Sequence, residues 1–170
     1  MDKVIFLDFD GVLNTRRYIN SLKAEGKKCS DEFGFLFDPV AVENLRTIVD
    51  AVPDARIVII STWNIEGLTR MKELWYRRNL PGKIYDITLC YVPDFRELDL
   101  DNPDSIDLLA GKGKDIQQWI KINACEGCTY VIVDDDDRLL PEQLPRLVRP
   151  DSNVGLSADD AARAVQLLAT

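Results

Sequence analysis

The chain contains no histidine. That excludes histidine general bases and histidine metal sites, so acid–base chemistry falls to Asp, Glu, Lys, Cys or Tyr. Aromatic residues are sparse, at 8%. No apolar run reaches the roughly 20 residues that cross a bilayer, and the opening residues lack the basic, apolar and small-residue succession of a signal peptide. Basic charge is in deficit: 21 Lys and Arg face 29 Asp and Glu, for a net charge of −8. An acidic surface does not favour non-specific nucleic-acid binding, which leans on phosphate neutralisation; a local basic groove stays open. Cysteine is scarce as well, with Cys29, Cys90, Cys125 and Cys128. C-E-G-C at 125–128 is half of a zinc site, and Cys29 and Cys90 supply no second pair. The four are expected to be ordinary thiols of a cytoplasmic protein.

What is present suits a soluble α/β domain. The 170 residues, 46% apolar, are enough for one core, and a single domain over 1–170 is expected. Residues 3–9 read as a buried strand, 56–60 as a second, 84–92 as a third and 130–133 as a fourth, with a short fifth at 147–149. Helical stripes follow at 40–52, 65–78 and 114–123, and a last helix is capped by Ser157. Asp38-Pro39 has the form of a helix start. Residues 15–37 and 93–111 show no clear period and are expected to be irregular, serving as loops or small flaps. Apolar strands alternating with helices predict a three-layer, Rossmann-like α/β/α sandwich around a mainly parallel sheet of about five strands.

Polar residues gather at the predicted strand ends. The first strand runs out in Asp8 and Asp10, the second in Ser61-Thr62-Trp63-Asn64, and the fourth in Asp134-Asp135-Asp136-Asp137. Lys112 stands just before a helix. Singly, Asp10-Gly11 is a turn, Ser61 a cap, Lys112 a solvated lysine and the aspartate run an acidic loop. Together they fall at the carboxyl edge of a parallel sheet, where such folds bind ligands. Carboxylates with no histidine make a hard-oxygen site suited to Mg²⁺, and the cation would offset the repulsion between Asp8 and the later run. A lysine and a hydroxyl beside it suit a phosphoryl group. The GKGK of 111–114 is not a nucleotide-binding loop, because Leu108 and Ile106 stand where its first glycine belongs and no Ser or Thr follows the lysines.

These motifs resemble the haloacid dehalogenase (HAD) superfamily of phosphohydrolases. FLDFDGVLN resembles its first motif, D-x-D-G-x-[LT], IIST its second, KGKDI its third and VIVDDDD its fourth. The resemblance implies a fold and a mechanism. Asp8 would be the nucleophile, forming an aspartyl-phosphate, and Asp10 would protonate the leaving oxygen and then activate water. Ser61, or Thr62 beside it, would hold the phosphoryl oxygens. Lys112, or Lys114, would neutralise charge. Asp135, with Asp134 as ligand or support, would bind Mg²⁺ together with Asp8 and the Asp10 carbonyl. An aspartate two residues after the nucleophile implies a phosphatase rather than a dehalogenase.

The segments between motifs leave no room for a large cap, which suits a bulky substrate. LDFDGVLN, the tryptophan after the second motif and the closing NVGLSADDA are similar to phosphatase domains associated with RNA-repair proteins. That likeness implies a phosphorylated polynucleotide end as substrate, with Arg16, Arg17, Thr62, Trp63 and Asn64 as candidate contacts. No membrane, haem or nucleotide cofactor is expected. A small-metabolite phosphatase and a non-catalytic phospho-binding module are the competing readings.

Overall fold

A computed structural model describes residues 2–89, 111–123 and 125–169. In chain order its elements are β1 (Lys3–Leu7), α1 (Arg16–Ala24), β2 (Ser30–Asp31), β3 (Gly34–Phe35), α2 (Pro39–Ala51), β4 (Arg56–Ile59), α3 (Gly67–Arg77), β5 (Ile84–Ile87), α4 (Gly111–Ile122), β6 (Thr129–Val133), β7 (Leu147–Val148) and α5 (Ala158–Ala169), with 3₁₀ turns at Thr62–Glu66 and Pro141–Arg146. Five strands form one parallel sheet in the order β5-β4-β1-β6-β7.

The apolar run of β1 follows from its place at the centre, where both faces need cover. Val4 and Phe6 pack with Ile116 and Trp119 of α4, while Ile5 and Leu7 pack with Leu45 of α2, Leu74 of α3 and Ala164 of α5. This alternation along one strand gives the three layers, with α4 on one face and α2, α3 and α5 on the other. Asp38 caps α2 as its sequence indicates, accepting the Val40 N–H at 2.9 Å. Ser157 and Asp160 cap α5 reciprocally: Asp160 accepts from the Ser157 N–H at 2.9 Å, and Ser157 Oγ accepts the Asp160 N–H at 3.2 Å.

The segment 15–37 differs from its expected irregularity. It carries α1 and a small antiparallel hairpin, β2–β3. The nine-residue α1 buries only Ile19 and Leu22, too short a stripe to register as a period, and it starts because Thr15 Oγ1 accepts the Tyr18 N–H at 3.1 Å. Strand β5 ends at Ile87, short of the expected 84–92. The predicted loop at 93–111 lies outside the described residues up to 110, and residue 111 already belongs to α4. Lys112 therefore stands in the first turn of a helix that begins three residues earlier than expected.

Candidate active site

Strand register builds the site before any side chain does. Leu7 pairs with Ile59 on one side and Val133 on the other, so β1, β4 and β6 finish at one level. Backbone bonds carry that alignment one residue further: the Asp8 N–H donates to Val133 at 3.0 Å, and the Ile60 N–H donates to Leu7 at 3.0 Å. Asp8, Ser61 and Asp134 thus arrive at the same edge, all buried.

Lys112 joins the two halves of the cluster. Its Nζ donates to Asp8 Oδ2 at 2.6 Å and to Asp134 Oδ2 at 2.7 Å. The other oxygen of Asp8 accepts the Phe9 N–H at 2.8 Å. Carboxylate oxygens of Asp8, Asp134 and Asp135 lie within 4.8 Å of one another. Burial, then the charge of Asp8, pushes Asp134 up to about 7 in spite of Lys112. Burial and Asp8 raise Asp135 as well. Burial alone would lower Lys112, but Asp8 and Asp134 outweigh it and hold the ammonium above its ordinary range. One lysine thus faces three crowded carboxylates. An all-oxygen set with excess negative charge could hold a hard divalent cation.

The four-aspartate run divides in two. Asp134 and Asp135 belong to the cluster. Asp136 bonds Arg138, and Asp137 accepts from Arg149 at 2.6 Å. Burial acts to raise Asp136, and its bonds to Arg138 more than reverse that.

Glycines set the close approaches. Gly11 has φ +72°, and a Cβ there would lie 2.6 Å from Asp135 Cγ. The residue after Asp10 must therefore be glycine for the first loop to meet Asp135. A Cβ on Gly113 would lie 2.6 Å from the Leu140 nitrogen. Buried Gln143 locks that contact: its Nε2 donates to the Gly113 carbonyl at 2.8 Å and its Oε1 accepts the Leu140 N–H at 3.1 Å. The Gly-Lys-Gly sequence is therefore an approach device that seats Lys112, and Gln143 gave no sign of this role in the sequence.

Asp10 is exposed, with both oxygens engaged: Asn14 Nδ2 donates to Oδ1 at 2.7 Å and Trp63 Nε1 donates to Oδ2 at 3.1 Å. Asn14 was not among the expected site residues; its signal is the asparagine four positions after Asp10, which also accepts the Gly11 N–H at 3.2 Å. Two open clefts adjoin Asp10. One, about 560 Å³, runs between the hairpin and the 62–66 turn and is lined by Phe33, Phe35, Thr62, Trp63 and Ile65 among others. The other, about 430 Å³, is lined by Asn14, Arg16, Lys23, Asp135 and Ser152 among others.

The remaining expected residues separate. Ser61 is fully buried at the end of β4, where its Oγ accepts the Trp63 N–H at 3.4 Å. Thr62 is exposed and lines the larger cleft. Arg16 lines the smaller cleft; Arg17, on the same turn, is exposed and is not among its lining residues. Asn64 was expected to touch substrate. Instead it is buried, and its Nδ2 donates to the Ile59 carbonyl at 2.7 Å and the Thr88 carbonyl at 3.3 Å, bracing β4 against the end of β5. Cys125 and Cys128 meet no third metal-type side chain among the described residues. Burial, then Cys125, pushes the Cys128 thiol up to about 12, which leaves it a poor nucleophile.

The hairpin is fixed to α3 rather than hanging as a flap. Arg78, just past the helix, donates to Asp31 at 2.6 and 3.0 Å, to the Phe35 carbonyl at 3.0 Å and to the Gly34 carbonyl at 3.2 Å. Arg70 donates to the Glu32 carbonyl at 3.0 Å, and Arg77 pairs with the Glu32 side chain at 2.7 Å. Gly34 lets the hairpin close on the indole: a Cβ there would lie 2.8 Å from Trp63 Cη2.

Loop 151–155 supports the first motif from behind. Leu156 N–H donates to Val12, and a Cβ on Gly155 would lie 2.7 Å from the Val12 carbonyl oxygen. So the closing NVGL segment and the opening DFDGVLN segment are one packed unit. Neither a curated protein nor a solved structure matches the chain. A family model described as the HAD domain in Swiss Army Knife RNA repair proteins matches residues 4–161, from β1 into α5, and the chain belongs to that family.

Proposed function

We propose that this chain is a Mg²⁺-dependent phosphomonoesterase that works through an aspartyl-phosphate on Asp8, with a phosphorylated polynucleotide end as its substrate. The observation that carries the reading is the arrangement around Asp8. Its carboxylate is buried, bonded to Lys112 and crowded by Asp134 and Asp135, with Asp10 two residues on. Membership in a HAD family supports a phosphohydrolase of that type.

Asp8, Asp134 and Asp135 would hold the metal, with the Asp10 carbonyl. The bound cation would lower the charge repulsion between the nucleophile and the incoming phosphoryl group. Asp8 attacks phosphorus with a carboxylate oxygen as the bond to the leaving oxygen breaks. Asp10 gives that oxygen its proton, then takes one from the water that attacks the aspartyl-phosphate and releases phosphate. Lys112 stays charged and stabilises the negative charge on the equatorial oxygens. Ser61, buried just past β4 at the same sheet edge, would make the remaining oxygen contacts, as the HAD resemblance implies. Because a carboxylate is a weak nucleophile, this positioning and charge neutralisation supply most of the rate.

The polynucleotide end is favoured by the family's description and by the two clefts at Asp10, one aromatic and one carrying Arg16 and Lys23. Phosphate release should be measured with Mg²⁺ on oligonucleotides bearing a 3′- or 5′-phosphate, sugar phosphates and p-nitrophenyl phosphate. Release that EDTA stops, and that Asp8→Asn lowers by about three orders of magnitude or more, is expected. Release unchanged in Asp8→Asn overturns the mechanism. Equal rates on every substrate overturn the polynucleotide assignment alone.

A further inference from the structure

We infer that the cleft between the hairpin and the 62–66 turn seats the alcohol-side group of the substrate as one nucleobase-sized aromatic ring, and that Trp63 ties the filling of this cleft to the placement of Asp10. This rests on the phosphomonoesterase reading. A proton donor must reach the leaving oxygen, so whatever that oxygen carries lies beside Asp10. Two clefts meet there; they share Asp10 and Phe35, and the rest of their linings differ in kind.

The larger cleft offers Phe33, Phe35, Trp63 and Ile65, and its charged lining groups, Asp10 and Glu66, are both acidic. It repels a second phosphate and favours a flat apolar group. Its volume, about 560 Å³, lies within the usual range for small-molecule sites. The smaller cleft sets Arg16 and Lys23 against Asp10 and Asp135, and its two cations, absent from the larger cleft's lining, suit the next phosphate of a strand instead. A terminal nucleotide satisfies both, with the base in one cleft and the following phosphodiester in the other.

The aromatic wall is set before ligand arrives. Phe33 lies under the Arg70 guanidinium, 4.1 Å from its ring centre, while the Trp63 ring meets Phe9 edge to face at 5.5 Å. Arg78 fixes the hairpin's backbone, so little ordering is left for binding to impose. Trp63 lines the cleft and donates its indole N–H to Asp10 at 3.1 Å. A ring packed on that indole holds the donor still and so holds Asp10. Trp63 is thus a positioning residue for Asp10 as well as a wall for the base.

Binding is tested on Asp8→Asn by calorimetry with adenosine 3′-phosphate, adenosine 5′-phosphate and glycerol phosphate. At least one nucleotide is expected to bind about 10-fold tighter than glycerol phosphate, and Phe35→Ala, at an exposed position, is expected to bring the two together. Equal affinities for all three overturn the base site, whether or not the wild-type protein proves to be a phosphatase. Catalysis tests the second half. Trp63→Phe keeps a ring and removes the N–H, so kcat/KM, which reports the step that expels the leaving group and not the shared hydrolysis of the aspartyl-phosphate, should fall about 10-fold more for an alkyl ester, whose leaving group needs a proton, than for p-nitrophenyl phosphate, whose leaving group does not. Equal losses on both esters overturn the positioning role. A wild-type protein that releases phosphate from nothing overturns the phosphomonoesterase reading and, with it, the role of Trp63, and the calorimetry still decides the cleft.

Discussion

The carboxylate cluster and the hairpin wall, which Trp63 links to Asp10, are held by different forces. The cluster is set by backbone: three parallel strands ending in register, and two glycines that admit close approach. Its aspartates at 8 and 134 are buried. The hairpin has two strands of two residues each, far too few to hold a place by pairing alone. Side chains hold it, chiefly Arg70, Arg77 and Arg78. The proposed chemistry thus rests on groups set by paired strands, and the wall that would select substrate rests on side-chain contacts that single substitutions can retune.

Breaking the cluster through its backbone should have the largest effect. Gly11→Ala forces a Cβ into Asp135 at a φ of +72°. Displacing that carboxylate by about 1 Å should lower phosphate release on the order of 100-fold. Gly26→Ala is the matched control, since Gly26 has a similar φ of +66° but nothing within 4 Å of the added carbon. It should cost about 1 kcal/mol of stability and leave release intact. Similar activity in the two variants would mean that the approach to Asp135 is unimportant.

Arg78→Ala comes next and strikes the other region. It removes four hydrogen bonds to the hairpin, from a guanidinium whose side chain is only 9% exposed. A loss of about 2–3 kcal/mol is expected in urea unfolding, with KM for oligonucleotide ends rising more than kcat falls. A kcat loss with KM unchanged would place the arginine's role in the chemistry instead.

The two regions should answer pH in opposite directions. Asp134 is raised from an ordinary 3.8 to about 7. Its contribution to metal-free stability is complete below the ordinary value and is lost as pH climbs through about 7, where burial and Asp8 oppose its charge. Asp31 behaves in reverse. Burial acts to raise it, but Arg78 and the Phe33 N–H hold it below its ordinary 3.8. Its contribution is present above that value and fades as pH falls beneath it. Thermal melts in EDTA should therefore show the cluster's cost growing from pH 5.5 to 8. Added Mg²⁺ should raise Tm by several degrees at pH 8 and by less at pH 5.5. An equal Mg²⁺ effect at both values would show that Asp134 ionisation does not limit the site.

Arg77→Ala should do least. Its pair with Glu32 is about half exposed on both sides, and such pairs contribute under about 1 kcal/mol. A drop as large as that of Arg78→Ala would show the hairpin's ion pairs acting as one network.

Much of this arrangement could be read from the chain. Apolar runs marked β1, β4 and β6, because a strand covered on both faces has no polar side to show. The aspartates after β1 and β6 stood out for the same reason, as charges placed directly after buried residues. Less was legible in α1, whose Ile19 and Leu22 are too few to make a period, and in Asn64, whose polarity suggested a ligand contact where the fold uses it to brace β4 against β5. Gln143 carries no local pattern, since its partner Gly113 is brought to it only by the fold, whereas Asn14 bonds Asp10 and Gly11 within its own loop.

By itself the sequence determined the layer order, the parallel sheet and the identity of the residues at its carboxyl edge, because burial and strand period are local properties of a run. Only the tertiary structure decided which two of four consecutive aspartates face Asp8, which lysine of GKGK meets them, and that Arg16 and Trp63 line different clefts beside Asp10. Those choices depend on which charges find arginine partners and on where backbones come within van der Waals reach, and such distances exist only once the strands have paired.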